Sequence, residues 1–285
     1  MLQLHLMVKF GENDGKRKQS ASIGLLVTAC VLASCAYDTH FDDCAVRCTS
    51  DLECPSHLSC ESDDGSRGYR LCRSAEVVCG DITSDLAGWW KLDEGSGSST
   101  ADASSNGNIG TLQNAPLWTT GPIENALAFN GIDQYVSIAD SYNLRVGGTN
   151  VLTLTAWIRR GTSTAVGGIF EKRLNAGGYG LALGVTPCAP NQIKATKYSV
   201  VEICLGSAPD DTTWHHFALV YSGSGVIAYV DGIQNATYND TQNFVTSSDN
   251  LKIGTAYSAY YFNGSIDDVR IYNRALSAAE IMMLQ

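Results

Sequence analysis

The sequence predicts an all-β protein: an antiparallel sandwich over residues 87–285, preceded by a small cysteine-rich segment. Three observations carry this expectation. From Trp89 onward short β-rich runs are separated by Gly, Asn, Asp and Ser, with almost no helical periodicity, which is the signature of closely spaced strands and turns. Leu152, Leu154, Ala156 and Ile158 alternate with Thr153, Thr155 and Trp157, the period-two pattern of a half-buried strand. Finally, Cys44, Cys48, Cys54, Cys60, Cys72 and Cys79 crowd into residues 44–79, a stretch too short to bury a core without staples.

The composition narrows the function. The chain has 285 residues, 17% charged and 44% hydrophobic, which is globular rather than disordered. Its formal charge is −10, and residues 1–34 hold four basic and two acidic residues, so the remainder carries −12. That balance argues against nucleic acid and against an anionic membrane face, both of which attract clustered Lys and Arg.

Residues 1–34 read as an address. Lys16-Arg17-Lys18 is a basic cluster, followed by an apolar run at 23–32. That run is far shorter than the ~20 residues a membrane-spanning helix needs and fits a secretory signal peptide. The start at Met1 gives a long leader before Lys16, which also fits translation from Met7 or later. Leu32-Ala33-Ser34-Cys35 resembles the bacterial lipobox, which implies lipidation of Cys35, an exported lipoprotein and, with Ala36 following, the outer membrane. The three acyl chains that such a cysteine carries exceed the two signals that stable anchoring needs. Residues 35–43 then form an anchor and linker.

The six cysteines of residues 44–79 read as a disulfide-stapled mini-domain, because ten cysteines suit an oxidising compartment. Their pairing stays open, and the absence of a Cys-x-x-Cys pair disfavours zinc. Residues 80–86 are a junction. In the sandwich, residues 217–221 and 225–230 are further strands, and Asp231-Gly232 is a hairpin turn in which Gly supplies positive φ. Ser277-Ala278-Ala279-Glu280 is a capping box before Ile281, Met282 and Leu284, predicting one short terminal helix. Cys188 and Cys204 are the sandwich's two cysteines, and a bridge between them would stabilise it by roughly 3 kcal/mol.

Several phrases keep a fixed order between positions 86 and 285. The opening is Gly88-Trp89-Trp90-Lys91-Leu92-Asp93-Glu94-Gly95, followed by Asp102-Ala103-Ser104-Ser105-Asn106-Gly107-Asn108. Then come Ala126-Leu127-Ala128-Phe129-Asn130-Gly131, Leu154-Thr155-Ala156-Trp157-Ile158 and Trp214-His215-His216-Phe217. The close is Phe262-Asn263-Gly264-Ser265-Ile266-Asp267-Asp268-Val269-Arg270-Ile271-Tyr272. This ordered set resembles the bacterial laminin G-like family. The resemblance implies a concanavalin A-like jelly-roll sandwich and a module that binds rather than reacts.

The candidate site residues follow. Asp102, Asn106 and Asn108 place oxygens around Gly107, an arrangement suited to calcium, which takes about six to eight hard ligands. The spacing imitates an EF-hand loop but fails where Gln113 stands in place of a bidentate Glu. The family resemblance sets this loop beside the last strand, which implies that Asp267 or Asp268 completes a structural calcium shell. Tyr257, Tyr260 and Tyr261 concentrate aromatic rings before that strand and are the expected ligand-binding residues, since tyrosine stacks on sugars or anchors a protein partner. Lys172-Arg173-Leu174-Asn175, with Gly177-Gly178 allowing flexibility, reads as a second loop where a ligand could sit or as a solvated hairpin tip. His215 and His216, adjacent on a strand, face opposite ways and read as structural.

Catalysis is disfavoured. Glycoside hydrolases share the implied fold, but Asp93-Glu94, Asp210-Asp211 and Asp267-Asp268 are adjacent rather than alternating along one face, and a retaining pair must flank a cleft. There is no Gly-x-Ser-x-Gly elbow, phosphate loop or His-Glu-x-x-His. The expected function is non-catalytic carbohydrate recognition by a surface-anchored module. Protein adhesion or an envelope-structural role is the alternative, and a divergent hydrolase the third reading.

Overall fold

The computed structural model describes residues 82–285 apart from 163, 175 and 176, together with three short upstream strands. Those strands, β1 (Val46–Cys48), β2 (Ser59–Ser62) and β3 (Arg70–Arg73), form an antiparallel sheet in the order β1-β3-β2. They belong to one compact unit and the sandwich to another. Cys60 lies opposite Cys72 in register. The expected leader, the expected lipid site at Cys35 and the pairing of the clustered cysteines lie outside the described residues.

Among the described residues the sandwich runs through eighteen strands and one short α-helix. It opens with β4 (Leu86–Trp90), β5 (Ser99–Thr100), β6 (Gly110–Gln113), β7 (Leu117–Thr120), β8 (Asn125–Asn130) and β9 (Tyr135–Ile138). After a 3-10 turn at Tyr142–Leu144 come β10 (Val151–Arg160), β11 (Gly167–Leu174), β12 (Gly177–Leu183), β13 (Gln192–Lys197) and β14 (Val201–Ser207). Then follow β15 (Trp214–Ser222), β16 (Gly225–Val230), β17 (Ile233–Asn239), β18 (Leu251–Ile253), β19 (Thr255–Ala256), β20 (Tyr260–Tyr261), β21 (Asn263–Tyr272) and α1 (Ala278–Met282). One eight-stranded sheet has the order β17-β16-β15-β10-β21-β8-β7, with β4 also on β21; the other reads β14-β13-β12-β11-β18-β9-β6-β5.

The two inner faces meet in one apolar core that includes Trp90, Leu127, Leu154, Ile158, Phe170, Leu181, Ile193, Leu219 and Ile271. Alternation puts these residues inward, as in any sandwich. The Asp231-Gly232 turn forms as expected, with φ of 49° and 70°, joining β16 to β17. Cys188 and Cys204 are bonded. The capping box is present: Ser277 Oγ accepts from the Glu280 N–H, and Glu280 Oε2 from the Ser277 N–H.

Two expectations about exposure need correction. The β10 strand is not half-buried: Thr153 and Thr155 are both 0% exposed. The segment after β21 lies over Thr153, whose Oγ1 donates to Arg274 O (2.8 Å) and accepts from the Leu276 N–H (3.0 Å). Leu276, Ile281 and Leu284 pack there against Ala218, Val220, Tyr229 and Tyr272. Lys172 and Arg173 are not on a solvated loop but within β11. Lys172 is buried, donating to Asp140 Oδ1 and Asp249 O, both at 2.5 Å.

Candidate functional site

The outer face of the second sheet carries a polar row across five strands. Register sets Lys252 of β18 beside Glu171 of β11, then Gly180, Thr196 and Glu202. Lys194 stands on the same face of β13 as Thr196, because side chains two residues apart share a face. Its partner in register is Cys204, whose disulfide to Cys188 ties the preceding loop to β14.

Over this row folds the hairpin of β19 and β20, in which Thr255 pairs with Tyr261 and Ala256 with Tyr260. Its turn begins with Tyr257 and Ser258 at φ of 56° and 50°, a left-handed conformation that costs a non-glycine residue about 1 kcal/mol or more. Tyr257 is held there from every side. Its N–H donates to Glu171 Oε2 at 2.8 Å. Its hydroxyl donates to Glu202 Oε1 and accepts from Lys194 Nζ at 3.0 Å. Arg173 and Lys194 lie over its ring at 4.5 and 4.7 Å, a cation–π arrangement. Tyr198 and Tyr260 meet it edge-to-face at 5.4 and 6.0 Å.

Beneath, Glu171 Oε2 also accepts from the Tyr198 hydroxyl at 2.7 Å. Burial raises the Glu171 pKa, with the Tyr198 hydrogen bond acting against it, and burial also raises that of the Tyr198 phenol. Tyr260 projects outward at 37% exposure and Tyr261 is half-buried beside Tyr135. The three expected tyrosines therefore gather on one hairpin, but in different roles: Tyr257 is the keystone and Tyr260 the exposed ring. Sequence reasoning missed Lys194, Tyr198, Glu171 and Glu202. The alternation Ile193-Lys194-Ala195-Thr196 was the available signal, since Ile193 and Ala195 are core residues. Chemically the site offers aromatic faces and fixed charges. Both of its glutamates are tied to tyrosine hydroxyls rather than facing each other across a cleft.

The calcium expectation meets a different geometry. Asp102 Oδ1 accepts from the N–H groups of Trp89 and Ser104, and Oδ2 from the N–H and side-chain amide of Asn108, all at 2.9 Å. Asn108 Oδ1 accepts from Ser141 Oγ (2.6 Å) and Asn106 Oδ1 from Asn143 Nδ2 (2.8 Å). The amides of Asn106 and Asn108 donate to Leu86 O and Ala87 O. The loop is thus a hydrogen-bonded clasp between β4 and the 3-10 turn, its oxygens already occupied by N–H and O–H donors.

A bulge opposite β10 breaks the alternation at Asp267 and Asp268, with Asp268 at φ 47°, and both side chains are buried. Asp268 faces the Trp89 Nε1 donor at 2.5 Å and an ion pair with Arg270 at 2.9 Å. Asp267 Oδ1 accepts from the Asp268 N–H at 2.8 Å, and its carboxyl abuts Gly121, where a Cβ would lie 2.5 Å from Oδ2. Burial, then the Asp268 charge, pushes its pKa up to about 8. Among the described residues no three His, Cys, Asp or Glu side chains gather to hold a metal. As a ligand set the five residues named from the sequence do not fit calcium.

The two histidines diverge as the strand geometry requires. His215 sits between Asp231 Oδ2 (2.7 Å) and Asp211 Oδ1 (3.0 Å). His216 is buried, against Gln285 Nε2 (2.7 Å) and edge-to-face with Trp157, and burial pushes its pKa down to about 3.

Two antiparallel eight-stranded sheets with a rim hairpin over one outer face define a concanavalin A-like sandwich. The family profile described as "Concanavalin A-like lectin/glucanases superfamily" (Laminin_G_3) matches residues 130–282, so the chain belongs to that family. Among solved structures it is similar to the binding domain of Paraclostridial Mosquitocidal Protein 1, with a TM-score of 0.58 at 13% identity over 71% of this chain and 52% of that one. It is also similar to domain 4 of AbnA, a GH43 extracellular arabinanase from Geobacillus stearothermophilus, in complex with arabinotriose. There the TM-score is 0.55 at 18% identity, over 70% of this chain and 98% of that domain. The botulinum neurotoxin serotype G binding domain gives 0.56 at 14% identity, over 70% and 50%. The chain thus spans about half the length of the two toxin binding domains. No curated protein sequence matches.

Proposed function

We propose that this protein is a non-catalytic binding module that recognises carbohydrate at the Tyr257–Tyr261 hairpin. The observation that carries the reading is the exposed Tyr260 ring beside Tyr257, whose turn is held by Glu171, Glu202 and Lys194. Such a rim presents a rigid aromatic face for the apolar side of a sugar ring, with Arg173 and Glu202 at hand for hydroxyls. The arabinotriose complex of the similar arabinanase domain lends the sugar reading support. The test is a glycan array on the purified protein. Discrete glycan hits lost in Tyr260→Ala support it; no hit, with envelope proteins co-purifying instead, favours a protein partner.

We further propose that the module is exported and anchored through lipid on Cys35, on the strength of Leu32-Ala33-Ser34-Cys35 after the apolar run. Among the described residues no helix is long and apolar enough to cross a membrane.

A further inference from the structure

Lys197, the last residue of β13, continues the inward alternation of Ile193 and Ala195, so a lysine enters the end of the core. Its side chain has no exposure at all. Its Nζ contacts Asn150 Oδ1 and Asp240 Oδ2 and donates to Gln242 O at 2.5 Å. The ring faces of Phe244 and Tyr221 lie 4.8 and 5.2 Å away. Asn150, directly before β10, is 4% exposed, and Asp240, directly after β17, is 6% exposed. The Asn150 amide nitrogen donates to Asp240 O (2.6 Å) and Gly223 O (3.2 Å). An amine, a neutral carboxamide and a carboxyl are thereby locked together in a dry, aromatic-walled site.

We propose that Lys197 and Asn150 join in an intramolecular isopeptide bond, with Asp240 carrying the protons. Burial lowers the pKa of the Lys197 ammonium, with Asp240 acting against it, and a desolvated lysine is an activated nucleophile. Asp240 Oδ2 takes one proton from Nζ, and the freed lone pair attacks Asn150 Cγ, forming the new C–N bond. The C–Nδ2 bond then breaks. Asp240 passes the protons shed by Nζ to the departing nitrogen, which leaves as ammonium, and ends as the carboxylate it began as. No electrons change hands and no co-reactant is consumed. Amides resist amines in water, but Lys197 Nζ is held against Asn150 Oδ1, and such enforced proximity is what free amine and amide lack in solution.

The same chemistry does not extend to the other two buried lysines: Lys194 Nζ meets Thr186 O, the Tyr257 hydroxyl and Glu202, none of them a side-chain amide. Lys172 faces Asp140, a carboxylate also held by Arg145 and lacking an amide leaving group. The proposed bond would tie β10 of one sheet to β13 of the other. It would survive reductants that open Cys188–Cys204.

Peptide mapping of the purified, reduced and denatured full-length protein tests this without any variant. The expected result is peptide 146–159 covalently joined to a peptide spanning Lys197, lighter by one ammonia, with no tryptic cleavage after Lys197. Separate linear peptides, with Lys197 cleaved in full, would overturn the proposal. In Asp240→Ala the two peptides should run apart; a cross-link as complete as in the parent would overturn the role given to Asp240.

Discussion

The backbone N–H of Tyr257 donates to Glu171 Oε2 at 2.8 Å, so an unfavourable turn at the rim is held by a carboxylate buried in the sheet below. The same oxygen accepts from the Tyr198 hydroxyl. Glu171→Ala leaves two donors without their acceptor, and a buried unsatisfied donor costs about 1–3 kcal/mol. Urea unfolding should show a loss in that range. An unchanged midpoint would mean that the hairpin keeps its conformation without Glu171.

Tyr260 and Tyr257 should separate binding from stability. Tyr260 is exposed and its ring meets that of Tyr257 edge-on. Tyr260→Ala is expected to weaken glycan binding about tenfold, equivalent to ~1.4 kcal/mol, with the melting temperature held. Tyr257→Ala should lower both. Titration calorimetry alongside thermal melts distinguishes the two; equal effects of both variants on melting would refute the division of roles.

For Asp102 the expected outcome is structural. Its carboxylate accepts four N–H bonds that close the clasp onto β4, so Asp102→Ala should cost about 2–3 kcal/mol. The loss should be equal in calcium and in chelator. A loss seen only in calcium would restore the loop as a metal ligand.

His215 predicts a pH dependence of stability. Burial acts to lower its pKa, but the hydrogen bonds and charges of Asp231 and Asp211 prevail and raise it above the usual value. The protonated ring is therefore the favoured form in the fold. Its contribution is fully present below the unfolded pKa of about 6.5 and is lost as pH rises through the higher folded value. Both carboxylates are solvent-exposed, so the effect should stay below about 1 kcal/mol and shrink with salt. Melting temperatures of the parent and His215→Gln should converge toward alkaline pH. Parallel profiles would show that the ring contributes no linked proton.

Anchoring is checked in cells. Cys35→Ser should move the protein from the detergent-extracted membrane to the soluble fraction. Retention in the membrane would exclude Cys35 as the lipid site.

Features legible in the residues themselves were those whose physics is local. The capping box of Ser277 and Glu280 spans one helical turn, and the left-handed pair Asp231-Gly232 needs only its own backbone. The alternation in β10 and the order of the family phrases announced strands and a sandwich because side chains two apart must share a face. The Cys188–Cys204 bridge was expected from the two cysteines of that domain.

What lay beyond the sequence was the far side of each face. Thr153 and Thr155 alternate as solvent-facing residues do, yet both are buried, and over Thr153 lies a segment more than a hundred residues later. Asp102 carries hard oxygens that suit calcium, but the positions of Trp89 and Asn108 turn N–H donors onto them. Tyr257, Glu171, Lys194 and Glu202 come from four separate strands or turns and share no sequence pattern. Composition and periodicity decide which residues form strands and which way they first point. Only the packing of distant segments decides which outward faces are covered, and hence which polar groups meet a partner rather than water.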